Sequence, residues 1–255
     1  MSPKKPFLQV SRRNLLKLGA GAIGTGLLAT ALAIKLKPGK AGKAEHPKSN
    51  LTPDHAGNAE PPKSNLTPNQ ALQELMAGNK RFVEAKRTNP HQDMSRIKAV
   101  AQSQSPFACI LGCADSRVPP EILFDQGIGD LFVVRLAGNI AKIEEIASEE
   151  YATGVLGAKV LMVLGHERCG AVKAALEGKS LPGSLNSLVD AIRPAIDKTK
   201  GQNGDPLTNA IKENVRMQVA TLKKSPIISD LIKGGKVNLV GGYYDLDTGE
   251  VSVVS

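Results

Sequence analysis

The sequence predicts an α/β fold in a single domain: a mostly parallel central sheet of four to five strands flanked by helices. Three observations lead there. Short apolar runs of strand length recur near 106–112, 131–135, 159–164, 237–240 and 251–254. Stretches of helical periodicity separate most of them, as in alternating βα units. The chemistry-bearing residues gather just after two of these runs, where ligands bind in open α/β sheets.

The elements follow in order. Thr67 is placed to N-cap a helix, Pro68 suits its first position, and Gln70 completes a capping box. Ala71, Leu72, Leu75, Met76, Phe82 and Val83 then form one apolar stripe. Residues 97–101 suggest a second helix, 106–112 a strand, and Pro120 the start of a short helix. Leu131 to Arg135 reads as a strand, 143–156 as a helix and 159–164 as a strand. Helices are expected at 170–177, 185–198, 207–223 and 227–233, and strands at 237–240 and 251–254 close the sheet.

The formal charge of +9 invites a nucleic-acid reading, so its location matters. Residues 1–63 hold 11 of the basic residues against 3 acids, whereas the rest is nearly neutral, with 22 against 21. Aromatic residues make up 3% of the chain, too few for base-stacking platforms. No nucleic-acid partner is expected.

The basic arm has its own order. Arg12 and Arg13 precede a Gly/Ala-rich apolar run from Leu18 to Ile34, the arrangement of a twin-arginine export signal. Residues 1–44 are therefore expected to be a signal segment read by the twin-arginine translocation machinery, leaving the protein outside the cytoplasm, in a periplasm or equivalent lumen. Ala31-Leu32-Ala33 and Gly42-Lys43-Ala44 both offer small-residue cleavage patterns. The alternative is an uncleaved membrane anchor, although four glycines in the run make a poor helix. Residues 45–66 form a linker in which Pro47-Lys48-Ser49-Asn50-Leu51-Thr52-Pro53 recurs 15 residues later as Pro62-Lys63-Ser64-Asn65-Leu66-Thr67-Pro68. Such Pro/Ser/Asn-rich units carry no apolar periodicity with which to bury a core. The domain is expected over 67–255.

Cys113 and the His166-Glu167-Arg168-Cys169 stretch supply two thiols and an imidazole at two strand ends. These are ligands that Zn²⁺ prefers, and three protein ligands are the catalytic pattern because a fourth position stays free. Of four histidines, His46 and His55 fall in the linker and His91 in a polar connection, which leaves His166 as the imidazole ligand. Cys109 lies inside a strand; it either packs in the core or, four residues from Cys113, shares its strand face. Asp115 and Arg117, two residues apart, can point together in an extended loop, with Arg117 keeping Asp115 ionised. Gly165, Gly170 and Ala171 are small enough for close backbone approach around a metal.

Cys-Ala-Asp-Ser-Arg-Val-Pro-Pro-Glu at 113–121, Gly-Asp-Leu-Phe-Val-Val-Arg at 129–135 and Gly-His-Glu-Arg-Cys-Gly-Ala at 165–171 resemble the β-class carbonic anhydrases. So do Gly78-Asn79-Lys80-Arg81-Phe82 and Gly241-Gly242-Tyr243-Tyr244-Asp245, and the likeness runs from about Leu66 to the C-terminus. The resemblance implies reversible hydration of CO2 to bicarbonate and a proton by a zinc-bound hydroxide, with one Zn²⁺ per chain held by Cys113, His166 and Cys169. Asp115 and Arg117 are then the catalytic pair, with Asp115 orienting the attacking oxygen; in one branch the equivalent aspartate instead ligates zinc and shuts the site.

Gln126 falls where plant-like members carry a glutamine resembling a substrate donor that reaches across from the partner subunit. Gln126 and Gly170 are accordingly the expected substrate-binding residues. The absence of Trp speaks for this plant-like bacterial branch rather than for branches with a second bicarbonate site. The resemblance also implies a homodimer or an assembly of dimers. Two thiolates and a neutral imidazole cancel the charge of the ion, so a bound water should be acidified less than by three histidines, and the working range should lie at alkaline pH. The rival readings are a carbon disulfide or carbonyl sulfide hydrolase on the same fold and a non-catalytic zinc- or bicarbonate-binding protein.

Overall fold

A computed structural model of the chain describes residues 63–178 and 180–254. Almost all of the arm and linker, with His46, His55 and the twin arginines, lies outside the described residues. Five strands form one sheet in the order β2-β1-β3-β4-β5. They are β1 (Ala108–Gly112), β2 (Leu131–Arg135), β3 (Val160–His166), β4 (Asn238–Tyr244) and β5 (Val251–Val253). The first four run parallel, and β5 returns antiparallel to β4.

The central strands β1 and β3 are buried along their whole length. Both sheet faces are covered there, which is why they read as continuous apolar runs instead of alternating ones. On one face, Ala108, Ile110, Met162 and Leu164 pack against Ala71 and Leu75 of α1 (Pro68–Val83). On the other, Cys109, Leu111, Leu161 and Val163 meet Val215, Val219 and Leu222 of α7 (Pro206–Leu222) and Ile228 of α8 (Pro226–Lys233). The Cys109 thiol is fully buried in this second layer, and burial pushes its pKa up. It is a core residue here.

Helix α1 starts as its sequence dictates. The Thr67 hydroxyl accepts from the Gln70 N–H at 3.3 Å, while Gln70 Oε1 accepts from the Thr67 N–H at 2.9 Å. Near its end, the buried Asn79 amide donates to the carbonyls of Leu123 and Gly249 and accepts from the Val251 N–H. One side chain thus joins α1, β5 and α3 (Pro120–Leu123). A methyl group on Gly78 would collide with the backbone of Phe124, so only glycine allows this approach.

Several boundaries differ from the sequence reading. Helix α2 (Met94–Val100) begins three residues before 97, because the Asp93 carboxylate caps the Arg96 N–H at 2.8 Å. The helix expected over 143–156 divides into α4 (Ile143–Glu150) and a π turn, Tyr151–Val155, closed by the Leu156 N–H on the Tyr151 carbonyl. Strand β4 continues four residues beyond 240, through Gly241 and Gly242. These glycines look like breakers, yet a Cβ on Gly242 would come within 3.1 Å of the Met162 sulfur, so a bare backbone fits the packed sheet there. The longer β4 also carries β3 two residues past 164, since Gly165 and His166 pair with Tyr243 and Tyr244.

Candidate metal centre

Adjacent parallel strands deliver the ligands. Gly112 pairs with Leu164, so β1 and β3 end side by side; Cys113 follows the first and His166 ends the second. From His166 the chain turns sharply at Arg168, which takes a positive φ of 53°, and Cys169 caps the start of α5 (Gly170–Leu176). The turn folds Cys169 back onto His166. The two sulfurs and one ring nitrogen of Cys113, His166 and Cys169 all lie within 4.8 Å of one another, and all three residues are buried.

The chemistry of this group is unusual for a protein interior. His166 Nδ1 is 2.9 Å from the Glu167 carbonyl, which makes Nδ1 the N–H donor and leaves a lone pair on Nε2. That Nε2 is buried without a hydrogen-bond partner. Such an orphan costs free energy unless something accepts its lone pair. Beside it, the Cys113 thiol is drawn down by the Cys169 thiol, with help from His166 and the Gly138 N–H against the opposing effect of burial. Cys169 is pushed up by the same contact with Cys113 and by burial. An orphaned imidazole lone pair and an acidified thiol facing a second thiol fit a borderline divalent cation such as Zn²⁺.

Surrounding backbone holds the thiolate in place. The Gly138 N–H points at Cys113 Sγ from 3.3 Å, and the Gly138 carbonyl is fixed by the buried Asn214 amide at 2.9 Å. Arg135, at the end of β2, donates to the carbonyls of Cys113 and Asp115. Sequence reasoning assigned Gly138 and Asn214 no role. They act through backbone atoms and a contact spanning 76 residues, which no local spacing reveals.

Asp115 and Arg117 meet as expected. Arg117 Nε reaches Oδ1 at 2.9 Å, and Nη2 reaches Oδ2 at 2.7 Å. This two-point contact, the Arg117 N–H and the nearby His166 hold the Asp115 carboxyl well below the usual range. Oδ2 lies 3.8 Å from His166 Nε2, outside the three-residue group but beside it.

Of the other expected residues, Gly170 directly follows Cys169, whereas Gln126 contacts none of the three ligands. Gln126 is fully buried, and its side chain contacts Lys63, Glu74 and the Phe124 carbonyl, none of them in the metal group. It lines a separate cavity of about 270 Å³ beside β2, with Gln92, Glu121, Ile128 and Leu131 among its neighbours. Gly170 opens α5 and is exposed; a methyl there would meet no atom within 4 Å, so close packing does not require glycine at this position. Gly165 does need to be small, because a Cβ would stand 2.5 Å from a Val215 methyl. His91 contacts Asp130 through Nδ1 at 2.8 Å, away from the thiols.

The class these features define is an α/β enzyme with a three-ligand metal site at the carboxyl edge of its sheet. Comparison with known proteins makes the assignment narrower. The carbonic anhydrase family model matches residues 108–251. Carbonic anhydrase 2 of Mycobacterium tuberculosis is 40% identical over 184 residues, covering 70% of this chain and 89% of that protein. The carbonic anhydrase of Mycolicibacterium smegmatis is 38% identical, covering 72% and 92%. Among solved structures, the β-carbonic anhydrase CcaA is similar with a TM-score of 0.58 and 31% identity, over 72% of this chain and 95% of that one. The chain belongs to the β-carbonic anhydrase family, and it is a carbonic anhydrase.

Proposed function

We propose that this carbonic anhydrase hydrates CO2 reversibly at a single Zn²⁺ held by Cys113, His166 and Cys169, with Asp115 and Arg117 as its catalytic pair. The observation that carries the reading is the orphaned His166 Nε2, buried beside two thiols and 3.8 Å from an ionised Asp115. When bound, the metal supplies a Lewis acid that makes water nucleophilic near neutral or alkaline pH.

The chain's own residues would do the rest. Arg117 fixes Asp115 in its ionised form, so that the carboxylate accepts a hydrogen bond and orients the attacking water. The two-point contact with Arg117 supports this orienting role for Asp115 over that of a fourth ligand. Cys113 and Cys169 belong to an apolar cluster with Ile140, Val172 and Ile192, surroundings compatible with a small uncharged substrate. Gln126, remote from the metal group of its own chain, would meet the substrate of a second copy in a dimer or dimer-based oligomer, with Gly170 lining the entrance.

The arm before Thr67 extends the proposal to location. Arg12-Arg13 ahead of the apolar run supports twin-arginine export of a folded enzyme from the cytoplasm. Fractionation of cells expressing Arg12→Lys/Arg13→Lys checks this: retention in the cytoplasm supports export, and unchanged partition contradicts it. For the reaction, stopped-flow CO2 hydration by the full chain from pH 6.5 to 9 is the test, with zinc measured on the same sample. Activity rising toward alkaline pH with about one zinc per chain supports the reading. Full zinc with no hydration at any pH overturns it in favour of a binding role, while turnover of carbonyl sulfide in place of CO2 favours the hydrolase alternative.

A further inference from the structure

We propose that Lys63, the last basic residue of the linker, is a positioning residue for Gln126. This rests on the reading that Gln126 donates to substrate across a subunit interface. Lys63 precedes the catalytic fold: it sits in a 3-10 turn, Lys63–Asn65, five residues before α1 and well ahead of the family-matched region. Even so, its side chain is only 14% exposed. Its ammonium donates to Gln126 Oε1 at 2.7 Å and to Glu74 Oε1 at 3.1 Å, and it lies 5.3 Å from the centre of the Phe107 ring. Leu66, three residues on, packs against the α1 core, which anchors the turn.

An amide has an oxygen end and a nitrogen end of nearly the same shape, so its neighbours must decide which end faces where. Here Lys63 has no acceptor capacity, so the end it touches must be the oxygen. With Oε1 engaged, Nε2 gives one hydrogen to the Phe124 carbonyl at 2.9 Å and the other, through a long contact of 3.5 Å, to Glu74 Oε1. Glu74 is thus the acceptor from which a substrate would have to take that second hydrogen. Lys63 bonds the same carboxylate oxygen, and Arg81 lies 3.7 Å from it. Lys63 therefore acts twice, fixing the amide's orientation and sharing the Glu74 oxygen so that its hold on the second N–H stays weak. Without it, Oε1 becomes a buried acceptor with no partner, and the amide gains by turning its nitrogen fully onto Glu74.

The seven-residue unit that carries Lys63 is the second copy of the linker duplication, with Lys48 at the equivalent place in the first. The second copy is followed by the start of α1, which places its lysine beside Gln126. The end of the linker is thus part of the substrate site.

The test compares the full-length zinc enzyme with Lys63→Met, Lys63→Arg, Gln126→Leu and the double variant Lys63→Met/Gln126→Leu. It reads kcat and KM for CO2 hydration, bicarbonate affinity, zinc content and melting temperature. Lys63→Met is expected to lower kcat/KM on the order of fivefold, the scale of one net hydrogen bond, and to weaken bicarbonate binding with zinc content unchanged. Lys63→Arg should restore most of the loss. In the Gln126→Leu background, Lys63→Met should cost nothing further. An equal loss in both backgrounds, or wild-type behaviour of Lys63→Met beside an impaired Gln126→Leu, overturns the role of Lys63 alone. Wild-type kcat/KM in Gln126→Leu overturns the reading of Gln126, and Lys63's role with it.

Discussion

Among the described residues three buried side chains, Asn139, Glu149 and His166, carry polar atoms without partners, and the last two teach different lessons. His166 Nε2 and both carboxylate oxygens of Glu149 are inaccessible and make no hydrogen bond. Around His166 stand two thiols, which with its Nε2 could hold a metal ion, while the Gly138 N–H and Asp115 lie beside them. Glu149, near the end of α4, is fully buried and close enough to the core thiol of Cys109 to act on it. The charged group that acts on Glu149 is Glu145, of the same sign, one turn back on α4. Burial first, and Glu145 second, push the Glu149 carboxyl up to about 8. The first orphan faces groups able to hold a metal ion; the surroundings of the second favour its protonated form. An unsatisfied polar atom points to a binding site where metal-ligating side chains converge on it, as the two thiols do here.

Breaking the first half of this comparison gives the largest effect. His166→Ala should lose zinc and reduce CO2 hydration by more than ~1000-fold, because the metal supplies both the nucleophile and part of the folding free energy. Metal analysis and stopped-flow assay check it, and full activity with full zinc in that variant would remove His166 from the site. Chelation of the wild-type enzyme should lower its melting temperature for the same reason.

The second half predicts a change of stability. Below pH 4.5 the Glu149 carboxyl is protonated in both states; between there and about 8 the unfolded chain has lost the proton and the folded one keeps it. Stability contributed by the protonated core carboxyl is therefore lost as pH rises through that window and is fully gone above pH 8. Glu149→Met, which removes the carboxyl at similar volume, should raise stability by at most about 3 kcal/mol at pH 7. Denaturant unfolding at pH 5, 7 and 8 should show the gain growing with pH; a pH-independent difference would mean that Glu149 has a partner after all.

A smaller effect sharpens the contrast between ligand and helper. Asp115→Asn keeps the shape but weakens the acceptor, so it should lower kcat/KM by about 10–100-fold while zinc stays bound. Loss of zinc in that variant would promote Asp115 to a ligand.

Much of this architecture is legible in the sequence. Leu131 to Arg135 reads as a strand, and the whole of it is one. The capping box at Thr67 and Gln70 marks the start of α1 because both partners lie within one turn. Cys113, His166 and Cys169 are legible because strand ends bring them together and their chemistry is specific. What local spacing misses are contacts closed by the fold. Lys63 meets Gln126 across 63 residues, Asp125 receives Arg81, Thr88 and Asn89, and Asn214 holds Gly138. Glu149 is hidden for a related reason. In a helix with acids at 144, 145, 149 and 150, nothing in the pattern says which one turns inward.

The most direct test of the central claim is zinc K-edge absorption on the full-length enzyme. The account predicts two sulfur neighbours near 2.3 Å and one nitrogen at about 2.0–2.1 Å, with the remaining position taken by a light atom. A shell without sulfur, or with a single one, would contradict the assignment of Cys113 and Cys169 as ligands.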